Sequence, residues 1–302
     1  MKPVRTLAEA LAGPVPLVLD GGLASQLEAQ GCDLSDHLWS ARLLADDPGQ
    51  VQAAHAAYVR AGASVLITAS YQASFDGFAR RGVGYDEARA LFAGSVAAAR
   101  RAGAAAGREV WVAASVGPYG AVLADGSEYR GRYGLSVREL ERFHRPRVEA
   151  LAEAGPDVLA LETVPDADEA EALLRAAEGC GVPLWLSYTV RDGRTRAGQD
   201  LASALALVAG NDQVIAAGVN CCDPADADRA VPLAAEVTGK PVVVYPNSGE
   251  GWDAAVGRWT GAPTLDPARA ASWGASGARL IGGCCRVGPE SIAALTRAVA
   301  AR

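Results

Sequence analysis

Short runs in which nearly every residue is apolar alternate along the chain with longer stretches in which Ala, Leu and Val recur every three or four positions among Glu and Arg. The short runs are PLVLDGG (Pro16–Gly22), SVLITAS (Ser64–Ser70), VWVAASVGPYG (Val110–Gly120), DVLALET (Asp157–Thr163), LWLSYTV (Leu184–Val190), VIAAGVNCC (Val214–Cys222), VVVYPNSGE (Val242–Glu250) and ARLIGGCC (Ala278–Cys285). They predict strands, and the 3.6-residue pattern between them predicts helices. Strands apolar on both faces belong to parallel sheets covered on both sides. Several are preceded by a helix-like run closing on Ala-Gly or Gly-Ala, as in YVRAGASVLI, LAEAGPDVLAL and WGASGARLIGG. There the glycine ends a helix and the next strand begins.

This alternation predicts an α/β chain folded as one (β/α)8 (TIM) barrel domain spanning residues 1–302. The competing doubly wound sheet would carry G-x-G-x-x-G after its first strand, and none follows here. ADGSEYRGRYG (Ala124–Gly134), polar and glycine-rich after the third strand, is expected to form a long functional loop. RDGRTRAGQD (Arg191–Asp200), after the fifth, reads as a solvated loop, with a mobile flap as the alternative.

Composition narrows the partners. Half of the 302 residues are apolar and 21% are charged, enough for a packed core. The net charge of −7 offers no basic face, so nucleic acid and anionic membrane are not expected partners and small molecules are. No apolar stretch approaches the roughly twenty residues of a membrane span. The start, MKPVRTLAEALAGPVPLVLDGG, places prolines and acids where a signal peptide needs an unbroken apolar segment. A cytosolic protein is expected. Its 6 cysteines, four of them in two adjacent pairs, do not form the spaced framework of a secreted disulfide scaffold.

In a barrel of this kind, chemistry is carried by the C-terminal ends of the strands. Those ends read Asp20-Gly21-Gly22, Thr68-Ala69-Ser70-Tyr71, Ser115-Val116-Gly117-Pro118, Glu162-Thr163, Ser187-Tyr188, Asn220-Cys221-Cys222, Asn247-Ser248-Gly249-Glu250 and Gly283-Cys284-Cys285. Two distant strands thus deliver four cysteines to one rim. Neighbouring cysteines bridge each other poorly, since the short ring strains both bridge and amide. Core packing, reactive thiols and metal ligation all remain open on spacing alone, because C-x-x-C pairs are absent. Adjacent residues cannot both enter one strand face, however, so one cysteine of each pair must lie past its strand end. That favours ligation, and a catalytic zinc takes three protein ligands and keeps a fourth position open.

The motifs GVNC (Gly218–Cys221) and GGCC (Gly282–Cys285) complete a resemblance to the homocysteine S-methyltransferases, nearest to the branch that uses S-methylmethionine. LDGGLASQLEAQGCDLSDHLWSA, ITASYQAS, SVGPYGAVLADGSEYRG, FHRPRVEAL and VVVYPNSGE extend it along nearly the whole chain. The resemblance implies zinc held by Cys221, Cys284 and Cys285, with Cys222 packed behind the site. It also implies that Asp20, Gly21, Gly22 and Glu162 hold the amino-acid part of homocysteine. This is sound chemistry: an ammonium needs fixed carboxylates, and a carboxylate suits backbone N–H groups exposed by glycine. Ser70, Tyr71, Ser115 and Asn247 are further candidate substrate contacts from the same rim.

The implied reaction moves a methyl group from a sulfonium donor to the homocysteine thiolate, forming methionine. S-adenosylmethionine is expected to be a poorer donor than S-methylmethionine, and betaine or methylfolate belong to other branches. Two other readings stand beside it. Hydrolysis by zinc-bound water would favour His and carboxylate ligands, and no histidine ends a strand. A non-catalytic zinc or thiol protein would carry the same cysteines without the reaction. Trp39 is open between a donor-pocket wall and packing, Tyr119 is a possible rim contact, and Ser248 fits either a substrate contact or a turn. His37 is off the rim, and His55 and His144 fall in helix-like runs where surface or partly packed roles are expected. Cys32 and Cys180 read as ordinary buried or loop thiols.

Overall fold

The structure, a computed structural model, describes residues 3–36, 38–253 and 258–301. His37, expected off the rim, lies outside the described residues. Eight strands form one sheet: β1 (Leu17–Val18), β2 (Val65–Ile67), β3 (Trp111–Val116), β4 (Val158–Val164), β5 (Leu184–Tyr188), β6 (Val214–Asn220), β7 (Val242–Tyr245) and β8 (Ala278–Ile281). Every neighbouring pair from β2 through β8 to β1 is parallel. The ring closes through a single parallel bridge, Leu19 to Val65, supported by Asp20 N–H donating to Val65 O at 3.0 Å. The predicted (β/α)8 barrel is the observed fold.

A helix follows each strand: α1 (Pro48–Arg60), α2 (Tyr85–Ala104), α3 (Val137–Glu153), α4 (Ala167–Ala177), α5 (Leu201–Leu205), α6 (Pro224–Thr238), α7 (Arg269–Ala275) and α8 (Pro289–Ala300). Their starts follow local chemistry. Ser136 caps α3 in a reciprocal box with Glu139, and Asp166, Asp200 and Asp223 cap α4, α5 and α6. Among the described residues, no helix is long and apolar enough to cross a membrane.

Side-chain parity divides each strand between two cores. Val112, Ala114, Val116, Leu159 and Leu161 pack outward against the helices. Trp111, Ala113, Val158, Ala160, Trp185, Ala216, Val243 and Tyr245 fill the barrel interior, and the short helix Leu7–Leu11 plugs its base. Stepping two residues further along β3, β4 and β5 gives Ser115, Glu162 and Ser187, and stepping four further along β6, past Gly218, gives Asn220. The interior therefore ends in a polar layer just beneath the mouth.

RDGRTRAGQD differs from the flap or solvated loop expected. Val190 pairs with Thr195 and Arg191 with Arg194 in an antiparallel hairpin, turned by Asp192 and Gly193 at φ 51° and 74°. Two consecutive positive φ values suit an Asp-Gly turn of the type that matches strand twist. Ala197 N–H donates to Pro165 O at 2.9 Å, and Gln199 Nε2 to Asp166 Oδ1 at 2.8 Å, so the segment is fastened to the start of α4.

Candidate metal and substrate site

Cys221 follows β6, and Cys284 and Cys285 follow β8, with β7 between the two strands. Their Sγ atoms all lie within 4.8 Å of one another, Cys221 to Cys285 at 3.6 Å and Cys284 to Cys285 at 4.0 Å. A tetrahedral centre with metal–sulfur bonds of about 2.3 Å spaces its sulfurs by about 3.8 Å. The three thiols thus fit a thiophilic ion that keeps one position open. Cys222 is buried beside them but outside the cluster, its carbonyl accepting from Asn247 N–H at 2.9 Å. Cys32 and Cys180 are half-buried free thiols outside it too.

The turns that present these thiols are fastened to each other. Asn247 Oδ1 accepts from Cys285 N–H at 3.1 Å, Ser248 N–H donates to Cys285 O at 3.0 Å, and Cys221 N–H donates to Tyr245 O at 3.1 Å. Asn247 and Ser248 therefore hold the two cysteine turns in register. Cys221 itself sits at φ 50°, and Thr163 on β4 at φ 57°, a costly conformation for a β-branched residue. Both adjoin Asn220, whose Oδ1 accepts from Thr163 N–H at 2.7 Å and Ser187 Oγ at 2.9 Å while its Nδ2 donates to Thr163 Oγ1 at 2.7 Å.

In the metal-free thiol set, hydrogen bonds from Cys221 and Cys284 hold the Cys285 thiol well below its ordinary range. Hydrogen bonding to Cys221 and Cys285, then burial, pushes Cys284 the other way.

The acids stand in the same mouth. Asp20 is fully buried; its Oδ2 accepts from Ile67 N–H at 2.9 Å, and its Oδ1 is buried without a partner. Burial raises its pKa well above the carboxylate range, and the charge of Glu162 adds to the rise. Glu162, 5% exposed, accepts from Ser115 Oγ. Burial lifts it to about 7, against hydrogen bonds from Ser115 and Tyr245 that lower it. Two buried carboxylates that resist ionisation are poised for a cation. Gly21 and Gly22 let this limb approach the cysteines closely: a Cβ would stand 2.0 Å from Val287 O at Gly21 and 2.5 Å from Cys284 O at Gly22. Gly22 N–H donates to Val287 O at 3.0 Å, so it is engaged by the fold.

Ser70 and Ser115 are buried in a ladder in which Ser70 Oγ donates to Ser115 O at 2.7 Å and Ser115 N–H to Thr68 Oγ1 at 3.0 Å. Tyr71 is half-buried and hydrogen-bonded to Thr163, with Cys221 and Glu162 close enough for their charges to raise its pKa after burial. Tyr119 packs between Tyr133 and Phe143, at 5.3 and 4.9 Å between ring centroids. Trp39, at φ 46°, is 41% exposed.

His55 and His144 differ from expectation, being fully buried where surface or partial packing was predicted. His144 Nε2 meets Glu169 Oε1 at 3.0 Å, and Glu169 also accepts from Tyr119 N–H and Tyr133 O–H, so the helix interior here holds a polar clamp on the loop after β3. His55 stands 4.0 Å from Asp20, and burial lowers its pKa to about 4.

Sequence reasoning flagged the loop after β3 without choosing a residue in it. Its short turn Ser127–Tyr129 puts the Tyr129 hydroxyl 3.1 Å from Cys221 Sγ.

A closed parallel barrel with three convergent thiols and two buried acids at its C-terminal mouth has the makings of a barrel enzyme whose thiols suit a thiophilic metal. Residues 17–299 match the family model described as homocysteine S-methyltransferase. The homocysteine S-methyltransferase of Escherichia coli is 47% identical over 290 residues, covering 92% of this chain and 94% of its own. The homocysteine S-methyltransferase YbgG of Bacillus subtilis is 44% identical over 293 residues, covering 91% and 92%. The crystal structure of the homocysteine methyltransferase MmuM from Escherichia coli in its metallated form superimposes with a TM-score of 0.84 at 45% identity, over 96% of this chain and 99% of that one. The chain belongs to the homocysteine S-methyltransferase family and is an enzyme of the transferase class.

Proposed function

We propose that this enzyme transfers a methyl group from a sulfonium donor, S-methylmethionine before S-adenosylmethionine, to homocysteine, with zinc held by Cys221, Cys284 and Cys285. The whole chain, 1–302, acts in this reading as one homocysteine-binding barrel, in the reducing cytosol that free thiols suit. The observation that carries the reading is the convergence of three thiols beside the buried pair Asp20 and Glu162.

Bound zinc would supply the Lewis acidity that keeps the homocysteine sulfur a thiolate at neutral pH. Asp20 and Glu162 take the substrate ammonium. Asp20 Oδ1, buried and unpartnered, is the acceptor such a cation satisfies. Ser115 and Tyr71 fix the wall around it, and Asn247 holds the Cys285 turn. Three cysteine thiolates make the mouth anionic, which attracts a cationic sulfonium. The homocysteine thiol proton leaves to solvent on binding. The sulfur lone pair then forms the new S–CH3 bond as the donor's C–S bond breaks, its electron pair converting the sulfonium to a neutral thioether. Alignment of the two sulfurs about the methyl is the chain's main contribution, worth roughly 7–11 kcal/mol in well-oriented reactions.

Metal analysis with thiol titration, followed by methionine formation from homocysteine with each donor, tests the proposal. One zinc per chain, three protected thiols, methionine from S-methylmethionine, less from S-adenosylmethionine and none from methylfolate are expected. A betaine or methylfolate rate equal to the S-methylmethionine rate would overturn the donor assignment. Bound zinc without methyl transfer from any donor would leave a zinc-binding thiol protein.

A further inference from the structure

Two charged side chains flank Tyr129 at the mouth, and neither has a place in the reaction so far. Arg196, half-buried at the end of the Asp192–Gly193 hairpin, donates from Nε to Tyr129 O at 3.0 Å and lays its guanidinium carbon 5.6 Å from the Tyr129 ring centroid. Its backbone is fastened on both sides, by Thr195 N–H to Gln199 O and by Ala197 N–H to Pro165 O, each at 2.9 Å. Glu128, the residue before Tyr129, is 9% exposed, and its Oε2 is buried without a partner. Among the described residues, neither forms an ion pair within 4.0 Å.

Arg196 touches Tyr129 and Glu128 precedes it in the chain, and the Tyr129 hydroxyl stands 3.1 Å from Cys221 Sγ. Burial and then the Arg191 charge lower the Arg196 pKa, while Tyr129 and Cys221 raise it. Burial lifts the Glu128 carboxyl to about 7, with the Cys221 charge adding to the rise. Burying an unmatched charge is expensive, so a cation stacked on Tyr129 and a buried, unpartnered carboxylate on the residue before it describe a place suited to opposite charges.

The geometry points to a donor subsite: we propose that Arg196 binds the α-carboxylate and Glu128 the α-ammonium of a zwitterionic sulfonium amino acid, above Cys221. The inference rests on the methyl-transfer reading and deepens it. With Nε committed to Tyr129 O, the two terminal nitrogens of Arg196 remain for a paired contact with a carboxylate. Its stacking on Tyr129 and the clamped hairpin fix their direction beforehand. Asp20 follows β1 and Glu162 lies on β4, whereas Glu128 and Arg196 lie on the loops after β3 and β5. Acceptor and donor zwitterions would each have their own carboxylate. Tyr129 touches Cys221 Sγ at 3.1 Å.

The test uses the zinc-loaded protein and three donors: S-methylmethionine, its analogue without the carboxylate and its analogue without the amine. Arg196→Met should cut the preference for S-methylmethionine over the descarboxy analogue roughly ten- to hundred-fold, the usual worth of a charge-assisted bond. Glu128→Gln should do the same to the preference over the deamino analogue. Each variant should leave the other preference unchanged. Calorimetric titration of S-methylmethionine without homocysteine should show the same loss of affinity in both variants. Rates that fall equally for all three donors, or a rise confined to the homocysteine KM, would overturn the subsite. Failure of the unmutated enzyme to use any sulfonium would instead refute the methyl-transfer reading itself.

Discussion

Replacing Glu162 by glutamine keeps the side chain's volume and one acceptor oxygen while removing its charge. In the free protein that charge is costly. Burial carries the carboxyl from its ordinary 4.5 to about 7. A carboxylate whose folded pKa exceeds its unfolded one holds more protons in the folded state between those values. Its ionisation therefore costs stability, by an amount near zero below about pH 4.5 and complete above about pH 7. The gap corresponds to about 3 kcal/mol. The metal-free Glu162→Gln protein should accordingly be more stable than its parent by up to about 3 kcal/mol at pH 8, and within about 1 kcal/mol of it at pH 5. The same change removes the partner proposed for the substrate ammonium. Charge-assisted bonds of about 1.5–3 kcal/mol predict a ten- to hundredfold loss in kcat/KM for homocysteine. Urea unfolding at the two pH values, paired with homocysteine saturation kinetics, reads both effects. A variant less stable than its parent at pH 8, or one with an unchanged homocysteine requirement, would refute the reasoning.

Three further perturbations probe the site. Cys284→Ser should lose most of its metal with the far-UV circular dichroism unchanged, and full metal content by elemental analysis would remove Cys284 from the ligand set. Gly22→Ala sets a Cβ 2.5 Å from Cys284 O, so the cysteine turn must shift. Competition with a chelator should show metal affinity reduced roughly tenfold or more, and unchanged affinity would mean the turn yields freely. Asn220→Ala removes three buried hydrogen bonds and leaves Thr163 at φ 57° unsupported. A loss of about 2–4 kcal/mol is expected from denaturant midpoints, and one below about 1 kcal/mol would show that the strained turn holds without it.

The barrel was legible because its signals are local: runs apolar on both faces make the strands, and Gly or an acidic cap marks several of the helix boundaries. Strand parity then carried Ser115 and Glu162 into the interior, and the cysteines followed from their places past β6 and β8. The loops were harder. Arg196 and Tyr129 meet through contacts between segments 67 residues apart, which no local pattern encodes. Asp192-Gly193 did carry a hairpin signal, and charge on either side obscured it. His144 looks like a helix-surface residue until Glu169, 25 residues on, supplies its buried partner.

The seam of the barrel also bears on biosynthesis. Leu17 pairs with Leu280, and Gly22 N–H is received by Val287 O, so the first strand has no lasting neighbour on that side until almost the whole chain has left the ribosome. Such distant pairing makes closure a late event. Asp20 and the Cys284 turn meet only at that step. The proposed amino-acid pocket and the proposed metal cradle are thus created together, and a nascent chain interrupted before the last strand would carry two of its rim cysteines with neither.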